Sequence, residues 1–277
     1  MLAYQIRIAL KSLRRTPVLS TLVVLGIALG IAVSTAFVTV YYLMAQDPIP
    51  HKSDNLYYVQ MDAWDPERPW NDDDPTEPPD QLTYRDVMGI MESDIPTYSS
   101  GMFKAQLTVH PEGENERPYR ALVRMCFADF FPMFDVPFEY GSGWGRSVDE
   151  DLEPVIVLSK RTNDRLFGGV NSVGRKVRIE DREFTVVGVT KRWKPMPKFY
   201  DITNFPYDES EEIYMPLEFN RPMEIASAGN DSGWKFDGGD GYESGHESES
   251  TWLQMWVQLD SRAQKEEYQA FLDAYAL

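Results

Sequence analysis

The sequence predicts an α+β protein in which one N-terminal transmembrane helix is followed by a mixed α/β domain. Three observations carry that reading. Residues 16–46 contain no charged side chain. The rest of the chain alternates short β-type runs with short helical ones, punctuated by Gly and Pro. Charge divides between the two parts: residues 1–46 hold four basic and no acidic side chains, so residues 47–277 hold 23 basic and 44 acidic, a net of −21.

Composition excludes several classes. Seven Trp, fifteen Tyr and fourteen Phe are too much apolar mass for a disordered chain. An overall charge of −17 repels phosphate and speaks against nucleic acid as a partner. A single cysteine, Cys126, removes any intramolecular disulfide or Cys-rich zinc site. His51, His110 and His246 form no ligand pair at helical spacing.

The first element is expected over residues 1–15. Leu2, Ile6, Ala9/Leu10 and Leu13 recur at helical spacing with Arg7, Lys11 and Arg14 between them, which suits a basic amphipathic helix on the cytoplasmic membrane surface. The span occupies residues 16–46. Thr16 stands as N-cap and Pro17 at the first helical position, where its missing N–H is harmless. Residues 18–44 reach about 40 Å at about 1.5 Å each, enough to cross a hydrocarbon core of about 30 Å. The rival is a cleaved signal peptide, whose apolar region is about half as long; a cut after Ala45 would also put Leu43 at the −3 position. An uncleaved anchor is therefore expected. The four basic residues before the span place the N-terminus in the cytoplasm and residues 47–277 outside. Within the span, Gly26 and Gly30, with Ala28, Ala32 and Ala36, are read as one small-residue face for packing against other transmembrane helices.

In the exported body, residues 57–61 read as a strand and 62–80 as an acidic, Pro-rich loop. Residues 83–92 read as a helix capped by Thr83. Paired strands are expected at 104–110 and 119–125, and a short aromatic helix at 128–134. Residues 154–159 make a buried strand, and Lys160–Phe167 a helix closed by Gly168-Gly169. A hairpin follows from Lys176–Ile179 and residues 183–189, then a strand at 213–217. Residues 226–251 are poor in apolar side chains and read as a long mobile loop. A strand at 253–259 and a helix at 263–275 complete the body.

Several segments carry a resemblance in their order along the chain. They are a basic pre-helix, Thr-Pro before Leu25-Gly-Ile-Ala-Leu-Gly30, Phe127-Ala-Asp-Phe-Phe-Pro-Met-Phe-Asp-Val-Pro137, and Pro154-Val-Ile-Val-Leu-Ser159. Arg165-Leu-Phe-Gly-Gly169, Val173-Gly-Arg-Lys-Val177 and Phe184-Thr-Val-Val-Gly-Val189 follow. This set resembles the N-terminal part of MacB/FtsX-type ABC transporter permeases, specifically their periplasmic core domain. The resemblance implies a porter-like subdomain at 47–120 and 251–277, interrupted by a β-rich subdomain at 121–250 that contains the acidic Gly/Ser loop. It implies a bacterial inner-membrane location and an ABC ATPase subunit as partner. Other transmembrane helices or a second permease copy would pack on the span, and a periplasmic adaptor or substrate would meet the body. Family members normally carry three further spans, so the sequence is expected to be a fragment, a truncated gene product or a divergent member. The implied function is a permease subunit that couples ATP hydrolysis to periplasmic motion for efflux. An FtsX-like signalling subunit controlling a periplasmic enzyme and a single-pass binding module without an ATPase are the alternatives.

Motifs for chemistry are weak. Residues 169–176 approach a P-loop, but Arg175 and Lys176 stand where Lys and Ser/Thr are needed, and the context is helix, turn, strand. Residues 237–241, with Glu243, Glu247 and Glu249, lack the alternating acids of an EF-hand and read as a solvated loop. Asp72–Asp74 and Glu209–Glu212 are read the same way. Ser159, Ser172 and the histidines form no recognisable nucleophile–base set, and Cys126 reads as core. No catalysis, cofactor or metal is expected. Trp193, Lys194, Lys198, Phe199 and Tyr200 form a basic, aromatic, Pro-rich stretch in an acidic domain. It reads either as a contact surface for a partner or amphiphilic cargo, or as an ordinary surface loop.

Overall fold

Helix α1, Pro17–Met44, is an uninterrupted run of 28 residues with no charged side chain and none buried. The computed structural model describes residues 4–5, 15–44, 47, 49–65, 67–112, 117–234 and 246–276. The expected surface helix over 1–15 lies largely outside the described residues. The chain divides into two units, residues 1–47 and 48–277. In the first, α1 is long and apolar enough to cross a membrane.

The second unit is built on one mixed nine-stranded sheet among the described residues. Its strands are β1 (Leu56–Tyr58), β2 (Tyr98–His110), β3 (Tyr119–Cys126), β4 (Phe138–Gly141), β5 (Val155–Leu158), β6 (Lys176–Ile179), β7 (Arg182–Thr190), β8 (Ile213–Pro216) and β9 (Gln254–Gln258). The spatial order is β1-β9-β2-β3-β8-β5-β7-β4, with β6 paired to β2 and β7. The expected β2–β3 pair is antiparallel, from Met102 opposite Cys126 to Val109 opposite Tyr119. Parallel contacts arise where β8 joins β3 and β7 joins β5. Helices α2 (Tyr84–Met91), α3 (Phe130–Met133), α4 (Arg146–Asp151), α5 (Lys160–Phe167) and α6 (Arg262–Tyr275) connect or cover the strands.

Period-two alternation explains why both sheet faces are apolar. Phe103, Met125, Ile156, Leu158, Met255 and Val257 enter one core cluster. Their neighbours Met102, Cys126, Val155, Val157 and Trp256 enter the other, with Phe130, Phe131, Phe134, Trp144, Tyr200 and Tyr214. The Thr83 cap is present, its hydroxyl accepting the Asp86 N–H. Gly168 closes α5 at φ +67°, a conformation that glycine adopts without strain.

Two expectations change, and two elements stand where none was expected. The first strand is only Leu56–Tyr58. Strand β4 and helix α4 are too short to show a period in sequence; β4 is held on the sheet edge by pairing with β7. The ends of the expected loop at 226–251 are anchored: Ser232 bridges Thr251, and His246 is only 4% exposed. The His246 ring lies 4.4 Å from that of Tyr84 and 5.6 Å from that of Trp252, while its Nε2 lies 2.5 Å from Asn220 Oδ1. Residues 235–245 are outside the described residues.

Candidate functional site

The segment between β7 and β8 begins with the basic aromatic stretch and folds back on itself. The Lys198 N–H donates to Pro206 O at 2.9 Å, and the Asp201 N–H to Lys198 O at 3.1 Å. Trp193 stacks on Tyr200 with centroids 5.1 Å apart and planes 12° apart. Tyr200 in turn meets Phe130 and Phe134 at 5.5 and 5.8 Å, and its carbonyl accepts the Trp256 Nε1–H at 3.1 Å. The stretch is thus half core. Trp193 and Phe199 are half-buried and Lys194 is exposed. Lys198 and Tyr200, read from sequence as part of a contact surface, are buried. They leave the surface because each has a buried partner.

That partner is an ion cluster under the loop. Arg124 is on the aromatic side of β3 and is fully buried. Its Nη2 reaches Asp201 Oδ2 and lies 2.5 Å from Glu211 Oε1. Lys198 Nζ is 3.4 Å from the same Glu211 oxygen and also donates to Glu209 O. Tyr200 donates to Glu211 Oε2 at 2.7 Å, and both Asn204 and Gln254 donate to Asp201 Oδ1 at 2.7 Å. The guanidinium also stands 5.5 Å from the Tyr200 ring centre.

Two cations against two carboxylates make the cluster neutral. Burial pushes the Asp201 carboxyl up, but Arg124 and the hydrogen bonds from Asn204 and Gln254 outweigh it and leave it well below the carboxylate range. For Glu211, burial is likewise outweighed by Arg124, Lys198 and Tyr200. Such a group adds little net stability but makes the loop's position costly to change, because separating the charges strands one of them out of water.

A second feature is a cleft of about 490 Å³ lined by Met88, Met91, Phe127, Asp129, Arg146 and Asp149, among others. Arg146 binds Asp129 through both oxygens, at 3.0 and 2.6 Å. Asp149 accepts the Ala128 N–H at 2.8 Å and the Trp144 Nε1–H at 2.9 Å. Burial nevertheless pushes its carboxyl up to about 7, against the pull of those two hydrogen bonds.

The apolar helix α1 carries the other predicted residues. Gly26, Gly30, Ala28, Ala32 and Ala36 are all exposed on α1, and a Cβ at either glycine would meet nothing within 4 Å. They do not share one face. At about 100° per residue the Gly26/Gly30 row and the Ala28/Ala32/Ala36 row point about 140° apart. The expected single stripe therefore becomes two.

No catalytic arrangement emerges among the described residues. Ser159 caps α5 by accepting the Thr162 N–H, and Ser172 donates to Asn163 at 2.5 Å. His51 is paired with Asp135 at 2.6 Å. Cys126 is buried, which pushes its thiol up. No group of three or more metal-ligating side chains occurs among the described residues; Asp237, Asp240 and Glu243 lie outside them. The near-P-loop is a turn into β6, with the Gly174 N–H on Val186 O at 2.8 Å.

Sequence reading missed Arg124 and Asp201, and it took Glu211, within 209–212, for solvated surface; the structure buries that carboxylate because Arg124 and Lys198 compensate its charge. The signal for Arg124 was present: a charge inside the apolar run Leu122-Val123-Arg124-Met125-Cys126. Its acids lie 77 and 87 residues downstream, where no local pattern links them.

The sequence model of the MacB-like periplasmic core domain family matches residues 20–275. No curated protein matches the chain. Among solved structures, the periplasmic region of MacB from Actinobacillus actinomycetemcomitans is similar at TM-score 0.50 and 14% identity, covering 83% of this chain and 88% of that one. The extracellular domain of the noncanonic ABC-type transporter YknZ from Gram-positive bacteria gives TM-score 0.44 at 14% identity, with 77% and 86% covered.

Proposed function

The chain belongs to the family of MacB-like periplasmic core domains, and from that premise we propose that it is a permease subunit of a MacB-like ABC system. The observation that supports this reading is the extent of the family match, which takes in most of α1 and the whole sheet domain. In this reading α1 anchors the chain in a bacterial inner membrane, with the N-terminus in the cytoplasm and residues 47–277 outside. A partner ABC ATPase hydrolyses ATP on the cytoplasmic side. Its motion passes through α1 and the spans packed on it, from a second permease copy or another subunit, to the outer domain. There it displaces a substrate or adaptor without a pore through this chain. The porter-like division into 47–120 and 251–277, around an inserted 121–250, belongs to the same proposal.

The physical requirement is a domain that moves as a body. One continuous sheet with apolar cores on both faces supplies it, and the ion cluster ties the 191–212 segment to the central strand β3. The test is purification from the native membrane in mild detergent, with mass spectrometry of everything retained. An ABC ATPase in the complex is expected. Its absence would overturn the coupling role, and retention of a cell-wall hydrolase without cargo would move the assignment to FtsX-like signalling.

A further inference from the structure

We propose that residues 191–207 form a docking surface for an acidic protein segment that carries an apolar anchor. The surface is an exception in its setting. In a body of net −21, Lys191, Arg192 and Lys194 cluster around Trp193, all three exposed and without an ion pair among the described residues. They line one cleft of about 530 Å³ together with Lys160 and Arg161 of α5. Three of the four acids of that cleft already face a cation. Glu211 is in the buried cluster, Asp164 is 3.7 Å from Lys160, and Glu209 is 3.6 Å from Arg161. Glu212 accepts the Leu122 N–H at 3.2 Å. A backbone N–H does not cancel a carboxylate's charge, so Lys191, Arg192 and Lys194 stand against Glu212 alone and the balance is positive.

Apolar anchoring sites accompany it. Met196, Ile202, Phe205 and Tyr207 are 51, 48, 69 and 36% exposed. In the sheet domain only Leu152, Val170, Val173 and Tyr275 are comparably open large apolar residues among those described, and none of them is aromatic except Tyr275. Phe205 and Tyr207 meet edge to face with centroids 5.7 Å apart, and an open aromatic pair on an otherwise well-covered surface marks an interaction site. The loop is also held ready. The Lys198–Pro206 and Asp208–Phe205 backbone hydrogen bonds, at 2.9 and 3.0 Å, fold it on itself, and Asp201 fastens it to Arg124. A partner then loses little affinity to ordering the loop.

The charge pattern selects a discrete protein segment over an anionic lipid surface. A sheet of headgroups meets the field of the whole −21 body, whereas a local segment meets only the patch within a Debye length of about 8 Å. The inference rests on this surface alone and holds for either transport or signalling.

The test places a photo-crosslinking amino acid at Phe205 in the full chain in its native membrane, with a second probe at Val170 as control. The expected result is a discrete adduct at Phe205, absent at Val170, whose crosslinked peptide is rich in Asp and Glu. Its yield should fall about tenfold or more in the Lys191→Glu/Arg192→Glu/Lys194→Glu variant, as expected when several charge-assisted contacts are reversed. These three side chains are exposed, so thermal unfolding of that variant should match the parent and separate lost docking from lost fold. Full yield in the triple variant, adducts to lipid only, or no adduct would each overturn the proposal.

Discussion

Arg124 is the residue on which the 191–212 segment depends. Its charge is compensated only while Asp201 and Glu211 stay in place, so replacing it leaves two carboxylates buried together. The Arg124→Met variant should lose about 3–5 kcal/mol, read from denaturant unfolding followed by tryptophan fluorescence. Lys198→Met should lose less, because Lys198 sits 3.4 Å from Glu211 while Arg124 is directly bonded to it. The titrating groups pull in opposite directions. Asp201 and Glu211 are held below their ordinary values, so their contribution is full above the ordinary carboxylate range and is lost as pH falls through the depressed values. Asp149 is raised from 3.8 to about 7, so its contribution is full below its unfolded value and is lost as pH rises through about 7. Carboxyl carbon NMR should therefore show Asp149 titrating near neutrality while Asp201 stays ionised after ordinary aspartates have protonated. An Asp149 midpoint in the ordinary range would mean the cleft is wetter than its packing indicates.

Among the elements, those with a local signal were legible and those defined by distant pairing were not. Helix α5 was readable because its closure at Gly168-Gly169 is sequence-local, whereas its Ser159 cap was read as the end of the preceding strand. The β2–β3 and β6–β7 hairpins were readable because alternation and a turn fix them. Strand β4 and helix α4 were not, being four and six residues long and placed by contacts made elsewhere. Placement of β9 between β1 and β2 is a non-local fact no spacing announces. On α1 the small residues were legible and their arrangement was misjudged, since two four-residue rows offset by two positions lie on different sides of a helix. That separation is testable. Gly30→Leu fills one row and Ala32→Leu the other, so if each row meets a different neighbour, the two variants should lose different crosslinks to partner spans. Loss of the same crosslink in both would restore a single packing face.

At the scale of the whole molecule, the sequence divides charge as it divides structure: a basic head, an uncharged helix of 28 residues, and an acidic sheet domain. Net charge does not determine orientation across a membrane. The basic residues flanking the span do, because positive side chains next to a helix end resist translocation. Arg7, Lys11, Arg14 and Arg15 all precede α1, while His51 and Lys52 are the nearest basic candidates after it. The domain should therefore face outward, and the structure makes this simple to measure. Cys126 is fully buried in the sheet, so the native thiol gives no background to a maleimide reagent. Val170 is 52% exposed in the turn after α5, and Arg15 is exposed just before α1. A membrane-impermeant maleimide applied to spheroplasts should label the Val170→Cys variant at once and the Arg15→Cys variant only after lysis. The reverse pattern would put the sheet domain in the cytoplasm, where it could not act on anything beyond the membrane. Labelling of both variants before lysis would mean that residues 15–44 do not cross the membrane, and α1 would then have to be reassigned as a helix that packs on protein.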